Sequence, residues 1–236
     1  MSGVFSRAIL GAREVGRVPL VVDIKPVSPR DGDLVRSRDP AALARMFDAA
    51  GVCALSVVTE REHFGGSLEM LREVVSSTSL PVLRKDFLNS PHDVDASLAA
   101  GAAAVLLTLS TVPDLEAPGL YRRILAMEME PLVEVHTLEE LHFALGLTPG
   151  PTIIGINNRD ITRLEKDDGN VGITESLAPL VPHGVAILSE SAMLTSEDVA
   201  RAFAAGADGV LIGTAVLQAE NPLAVIAELA ETAAGG

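Results

Sequence analysis

The chain has 236 residues, of which 48% are hydrophobic and 3% aromatic, with one cysteine, no tryptophan and a formal charge of −14. At about 150 residues per domain this length suits one large domain spanning residues 1–236, and an α/β barrel of roughly 250 residues is the natural candidate. One cysteine closes no internal disulfide, and an acidic chain without a basic block or stacking aromatics gives nucleic acid nothing to grip.

Eight short runs rich in β-branched residues recur along the chain: Pro19–Ile24, Val52–Val58, Leu80–Leu83, Ala103–Leu107, Pro131–Val135, Thr152–Ile156, Val185–Leu188 and Asp208–Ile212. Most are continuously apolar and do not alternate, the pattern of parallel strands covered on both faces. Helix starts lie between them. Asp39-Pro40 and Ser90-Pro91 pair a capping side chain with proline at the first helical position. Thr137 with Glu140, and Thr195 or Ser196 with Glu197 and Asp198, carry capping residues and first-turn acids. Gly51, Gly101 and Gly206 each close a helix before a strand. Gly65-Gly66-Ser67 reads as a turn and helix cap. Strand and helix alternating eight times predict a (β/α)8 TIM barrel, with a doubly wound open sheet as the alternative. The final Ala-Gly-Gly is expected to fray.

No apolar run approaches the ~20 residues of a bilayer span, so no membrane partner is expected. With no basic, then apolar, segment after Met1, a cytoplasmic location is the expectation.

In such a barrel the active site lies at the C-terminal ends of the strands. Those ends read Asp23-Ile-Lys25, Thr59-Glu60, Lys85-Asp86, Glu134, Asn157, Glu190-Ser191 and Gly213-Thr214, while strand four ends in Leu107, Thr108 and Ser110 without a charge. Asp23 and Lys25 share one strand face with Val21. They either pair with each other or serve a common site. Lys85, Glu134 and Glu190, aimed into the same mouth, favour the site, because burying so many charges costs several kcal/mol each unless they are paired. Lysines and carboxylates in one dry pocket suit general acid and base chemistry.

No metal-ligand spacing accompanies them. His63 and His92 fall in expected loops, His136 and His142 about strand five and its helix, and His183 before strand seven, all read as surface or helix-terminus residues. Cys53 reads as a small core residue. The turns Glu190-Ser191-Ala192 and Ile212-Gly213-Thr214-Ala215 offer backbone amides to a phosphate, tight packing at a barrel corner being the alternative.

At these residues the chain resembles the indole-3-glycerol phosphate synthase family over nearly its whole length. The likeness rests on Asp23-Ile-Lys25 with Ser28-Pro29 and Gly32, Ser56-Val-Val-Thr59-Glu60 with Phe64-Gly65-Gly66-Ser67, and Pro81-Val-Leu-Arg-Lys85-Asp86-Phe87. It continues through Glu130-Pro131-Leu-Val-Glu134-Val, Gly155-Ile-Asn157-Asn158-Arg159-Asp160, Ser189-Glu190-Ser191 and Leu211-Ile212-Gly213-Thr214.

The resemblance implies ring closure on 1-(2-carboxyphenylamino)-1-deoxyribulose 5-phosphate with loss of carbon dioxide and water, and no cofactor. It implies Lys85 as general acid, Lys25 as holder of the substrate carboxylate, and Glu134 and Asp23 as acid/base or charge-stabilising partners. Asn157, Glu190 and Ser191 would orient the substrate, Ser28 would belong to its binding loop, Phe64 and Phe87 would flank the aromatic ring, and Arg159, Gly213 and Thr214 would serve the phosphate. The partner is then an anionic small molecule, with monomer and homodimer both open.

Departures from the family pattern are Asp23 for glutamate, Pro26 where a basic residue is common, Ala192 for glycine and Asn158 where serine is frequent. A further departure is the shortened N-terminal extension, about 18 residues before strand one. They leave as alternatives a related cofactor-free lyase or isomerase acting on an aryl-amino sugar phosphate, or a non-catalytic barrel paralogue.

Overall fold

Alternate residues of the first strand part to opposite sides, and this divides the core of the protein in two. Val21 joins an inner apolar cluster with Cys53, Leu83, Leu106, Leu132, Leu188 and Leu211. Leu20, Val22 and Ile24 join a larger outer cluster with helix residues such as Leu43, Phe47, Leu71 and Val94. A strand buried on both faces must be apolar at every step, which explains the unbroken runs.

The structure, a computed structural model, describes residues 3–159 and 170–235. Eight parallel strands close into a barrel: β1 (Val18–Ile24), β2 (Val52–Val58), β3 (Val82–Lys85), β4 (Ala104–Thr108), β5 (Glu130–Val135), β6 (Ile153–Asn157), β7 (Ala186–Glu190) and β8 (Gly209–Ile212). Each pairs with its sequence neighbours, and β1 also pairs with β8 in the register Leu20↔Val210. That closure excludes the open doubly wound sheet. Several strands run past the apolar residues that mark them: β3 reaches Lys85, β6 Asn157 and β7 Glu190. Backbone ladders continue through polar residues as readily as apolar ones, so the charged side chains stand on the last rungs of the barrel wall.

Ten α-helices lie among the described residues. Asp39 caps α2 (Pro40–Ala49), Ser67 caps α3 (Leu68–Val75), and Ser90 with Asp93 forms a capping box on α4 (Pro91–Ala99). The chain goes on through α5 (Ala117–Ala126) to α6 (Leu138–Leu145), which is capped by Thr137. After α7 (Gly172–Leu177) a second capping box, Thr195 with Asp198, opens α8 (Ser196–Ala204). Gly206, at φ +106°, turns the chain from α8 towards β8 in a conformation that glycine adopts without strain.

His92 belongs to α4 and not to a loop, because Ser90-Pro91 starts the helix one residue before it. After the short α9 (Thr214–Gln218) comes α10 (Pro222–Gly235), while Gly236 lies outside the described residues. None of the described helices is long and apolar enough to cross a membrane.

The segment ahead of the barrel forms α1 (Val4–Leu10), whose Phe5 and Ile9 enter the inner cluster at the end of the barrel opposite the charged residues. Its N-terminus is held by Glu130, at the start of β5. The Glu130 carboxylate accepts from Gly3 N at 3.1 Å, Ser6 N at 2.9 Å and the Thr152 hydroxyl at 2.6 Å.

Candidate active site

Strand register decides which side chains meet at the C-terminal mouth. Thr108 pairs with Glu134 across β4 and β5, and Asn157 pairs with Glu190 across β6 and β7. The Thr108 hydroxyl donates to Glu134 Oε1 at 3.1 Å, and Asn157 Nδ2 donates to Glu134 Oε2 at 3.0 Å. Lys85 reaches in from β3, its Nζ 2.5 Å from Glu190 Oε2 and 3.5 Å from Glu134 Oε2. Both carboxylates are fully buried.

Burial pushes the Glu190 carboxyl up to about 7; Lys85 opposes that rise, and Glu134 and Asp23 add to it. Burial alone would lower the Lys85 ammonium, but Glu190, Glu134 and Asp23 hold it above the usual lysine range. Lys85 is therefore a firmly charged donor beside a carboxyl that titrates near neutrality.

A cavity opens above this group, lined among others by Asp23, Lys25, Phe64, Lys85, Phe87 and Asn157. The Phe64 and Phe87 rings face each other with centroids 6.4 Å apart, and Lys25 Nζ lies 5.7 Å from the Phe64 centroid. One side of the cavity is thus aromatic and the floor is charged. A second cavity shares Asp23, Lys25, Lys85, Arg159 and Ser191 with the first and extends to Ala192, Gly213 and Thr214. Ser191 and Ala192 both adopt left-handed backbone, at φ +65° and +56°. Gly213 lies so close to Asp23 that an added Cβ would stand 3.1 Å from the Asp23 Cβ.

Of the residues expected from sequence, Asp23, Lys25, Phe64, Lys85, Phe87, Asn157, Arg159, Ser191, Gly213 and Thr214 line these two joined cavities, with Glu134 and Glu190 beneath Lys85. Ser28 lines neither. It is buried, and its hydroxyl accepts from Arg30 N at 3.3 Å and Asp31 N at 3.2 Å, holding the turn after β1. Asp160 lies outside the described residues. Among those described, the one cluster of metal-ligand types is Glu60, Glu62 and His63 near the surface. There Glu60 accepts the backbone N–H groups of residues 62, 63 and 64 at 2.8, 2.8 and 2.9 Å, which shapes the loop after β2.

Three contributors escaped the sequence reading. Arg84 is buried beside Lys85 and ties β2, β3 and α4 together, donating to the Thr59 hydroxyl, the Asp86 carboxylate and the Ser97 hydroxyl at 2.8, 2.8 and 2.9 Å. Gly155, on β6, leaves the space that the Glu190 carboxylate fills. His136, expected at the surface or a helix terminus, does precede the Thr137 cap of α6 but is largely buried beside Glu134. Its place one residue past the end of β5, two after Glu134, was the available signal.

The family model described as indole-3-glycerol phosphate synthase matches residues 5–229. The chain is 42% identical over 226 residues to a protein named indole-3-glycerol phosphate synthase from Pyrococcus furiosus, covering 96% of both chains. A protein of the same name from Thermococcus kodakarensis is also 42% identical, with 96% of both chains covered. One from Leifsonia xyli is 40% identical over 212 residues, 90% of this chain and 79% of that one. With a closed eightfold barrel and the strand-end residues gathered at one mouth, the chain belongs to the indole-3-glycerol phosphate synthase family.

Proposed function

We propose that this mouth closes the indole ring of 1-(2-carboxyphenylamino)-1-deoxyribulose 5-phosphate, releasing carbon dioxide and water. The observation that carries the reading is Lys85, whose Nζ stands between two buried carboxylates on the floor of a cavity with an aromatic wall. Ring closure places negative charge on the sugar's carbonyl oxygen, and the resulting hydroxyl must later leave as water. Both steps call for a proton donor at one oxygen, the task of Lys85.

Lys25, beside the Phe64 ring, neutralises the carboxylate of the aminobenzoate ring until it departs as carbon dioxide, while Phe64 and Phe87 flank that ring. Asn157, Glu190 and Ser191 orient the sugar. Glu134 and Asp23 act as acid/base or charge-stabilising groups for the protons lost as the five-membered ring becomes aromatic. Arg159, Gly213 and Thr214 take the phosphate in the second cavity, where a cation and backbone amides favour an anion.

The test is incubation of the purified protein with that substrate while indole fluorescence is followed. Product should form, and Lys85→Met should lower kcat by roughly 10²-fold or more, the scale of a lost general acid. No product from folded wild-type protein, or undiminished turnover by Lys85→Met, would overturn the reading.

A further inference from the structure

Glu134 has two oxygens, and Lys85 serves only one of them. Lys85 Nζ is 1.0 Å nearer to Glu190 than to Glu134, the distances being 2.5 and 3.5 Å. At the other oxygen, Glu134 Oε1, stands His136, whose Nε2 is 3.9 Å away. The imidazole is largely buried, and Nδ1 lies 3.4 Å from Glu140 Oε2. Neither ring nitrogen has a hydrogen-bond partner within the protein, which would leave a neutral ring with two orphaned polar atoms. Protonation forms no hydrogen bond in this geometry, but a charged ring gains the attraction of the carboxylates on its two sides, at 3.9 and 3.4 Å.

We propose that His136 is a positioning residue of the active site: a second positive charge that fixes the Glu134 carboxylate between two cations and leaves Lys85 to Glu190. The inference rests on the reading of the site given above and extends it to a residue that touches neither cavity.

The ionisable groups facing the ring are Glu134 near the end of β5, Glu140 from α6 and Glu190 from β7, with Lys85 from β3 beyond Glu134. Three carboxylates and one cation surround it, so the surroundings favour the charged imidazole. Burial would by itself lower the His136 pKa, but Glu140, Glu134 and Glu190 raise it above the ordinary histidine range. The Glu140 carboxylate is held in place by its place on α6 and by the backbone N–H of His136, which donates to Oε2 at 2.5 Å. A helix end and a strand end thereby converge on one ring, which turns the position of α6 into a constraint on Glu134.

The test compares the pH profile of kcat for wild type, His136→Asn and His136→Lys. An opposite charge within about 4–6 Å moves a carboxyl group by a unit or more. Loss of the cation should therefore shift the acid limb of His136→Asn to higher pH by about one unit, and the permanent cation of His136→Lys should restore it. A residue that only fills space or caps α6 would shift neither limb. An acid limb in His136→Asn that coincides with wild type, or one that lysine fails to restore, overturns the proposal.

If the substrate is not turned over or a variant fails to fold, the titration of His136 followed by NMR in wild type and Glu134→Gln decides instead. A fall in its midpoint in Glu134→Gln supports the charge coupling even where the proposed reaction fails. An unchanged midpoint overturns it.

Discussion

The carboxylate of Glu190 occupies the space that a side chain at Gly155 would fill, on the neighbouring but one rung of the barrel wall. An added Cβ at Gly155 would overlap Glu190 Oε1 and stand 3.4 Å from Leu132 Cδ1. Because Glu190 is enclosed and held by Lys85, its carboxylate can yield only by moving relative to that lysine. Gly155→Ala should lower kcat on the order of 10²-fold, the cost of a displacement near 1 Å at a reacting centre. Steady-state kinetics, with circular dichroism to establish that the barrel persists, check it; wild-type turnover would show that Glu190 finds another rotamer.

Glu190 also ties folding to pH. Its native carboxyl is raised to about 7, above the usual value near 4.5, so between these limits the folded state binds the proton more tightly than the unfolded one. This group's contribution to stability is therefore complete below the unfolded value and is lost as the pH rises through about 7. Glu190→Gln should flatten the decline in unfolding free energy between pH 5 and pH 8. Urea denaturation at both values tests this, and equal slopes for the two proteins would refute it.

Ala192 lines the second cavity with φ +56°, a conformation costing an L-residue roughly 1–2 kcal/mol. Ala192→Gly removes that strain but releases about 0.4–1 kcal/mol of unfolded-chain entropy. The balance predicts a gain of about 1 kcal/mol and, with the backbone freer to approach an anion, a lower KM for the phosphorylated substrate. Thermal denaturation and kinetics measure the two effects separately; a lower Tm with unchanged KM would count against both.

At the opposite end of the barrel, Glu130 holds the start of α1. Glu130→Ala would strip partners from Gly3 N, Ser6 N and the Thr152 hydroxyl, at a cost of about 1–3 kcal/mol. Since Glu130 and Glu134 stand at opposite ends of β5, kcat below the melting transition should stay at the wild-type value. A variant as stable as wild type would mean that α1 is fixed by Phe5 and Ile9 alone.

The fold was legible because its signals are local. Asp39-Pro40 and Ser90-Pro91 start helices through atoms three residues apart, and each strand run owes its apolarity to its own two covered faces. Lys85, Glu134, Asn157 and Glu190 were legible for the same reason, as polar residues ending apolar runs. Gly155 and Arg84 were not, because a glycine or an arginine in a strand has no meaning until closure decides what stands opposite. His136 stands at the helix terminus expected of it, but its burial was not legible, because it comes from α6 lying over β5, and the side chain of Glu140 supplies much of its surroundings. In each case the missing information was a partner on another element.

The pairing of β1 with β8 brings Asp23 against Gly213, residues from the first and last rungs of the wall. On the ribosome the first of these strands is made long before the last. Until β8 emerges, Asp23 lacks one wall and the turns after β7 and β8 have no common mouth. Seven of the eight units can be synthesised without producing the pocket, so a nascent chain carries Lys85, Glu134 and Glu190 without yet carrying the mouth they share.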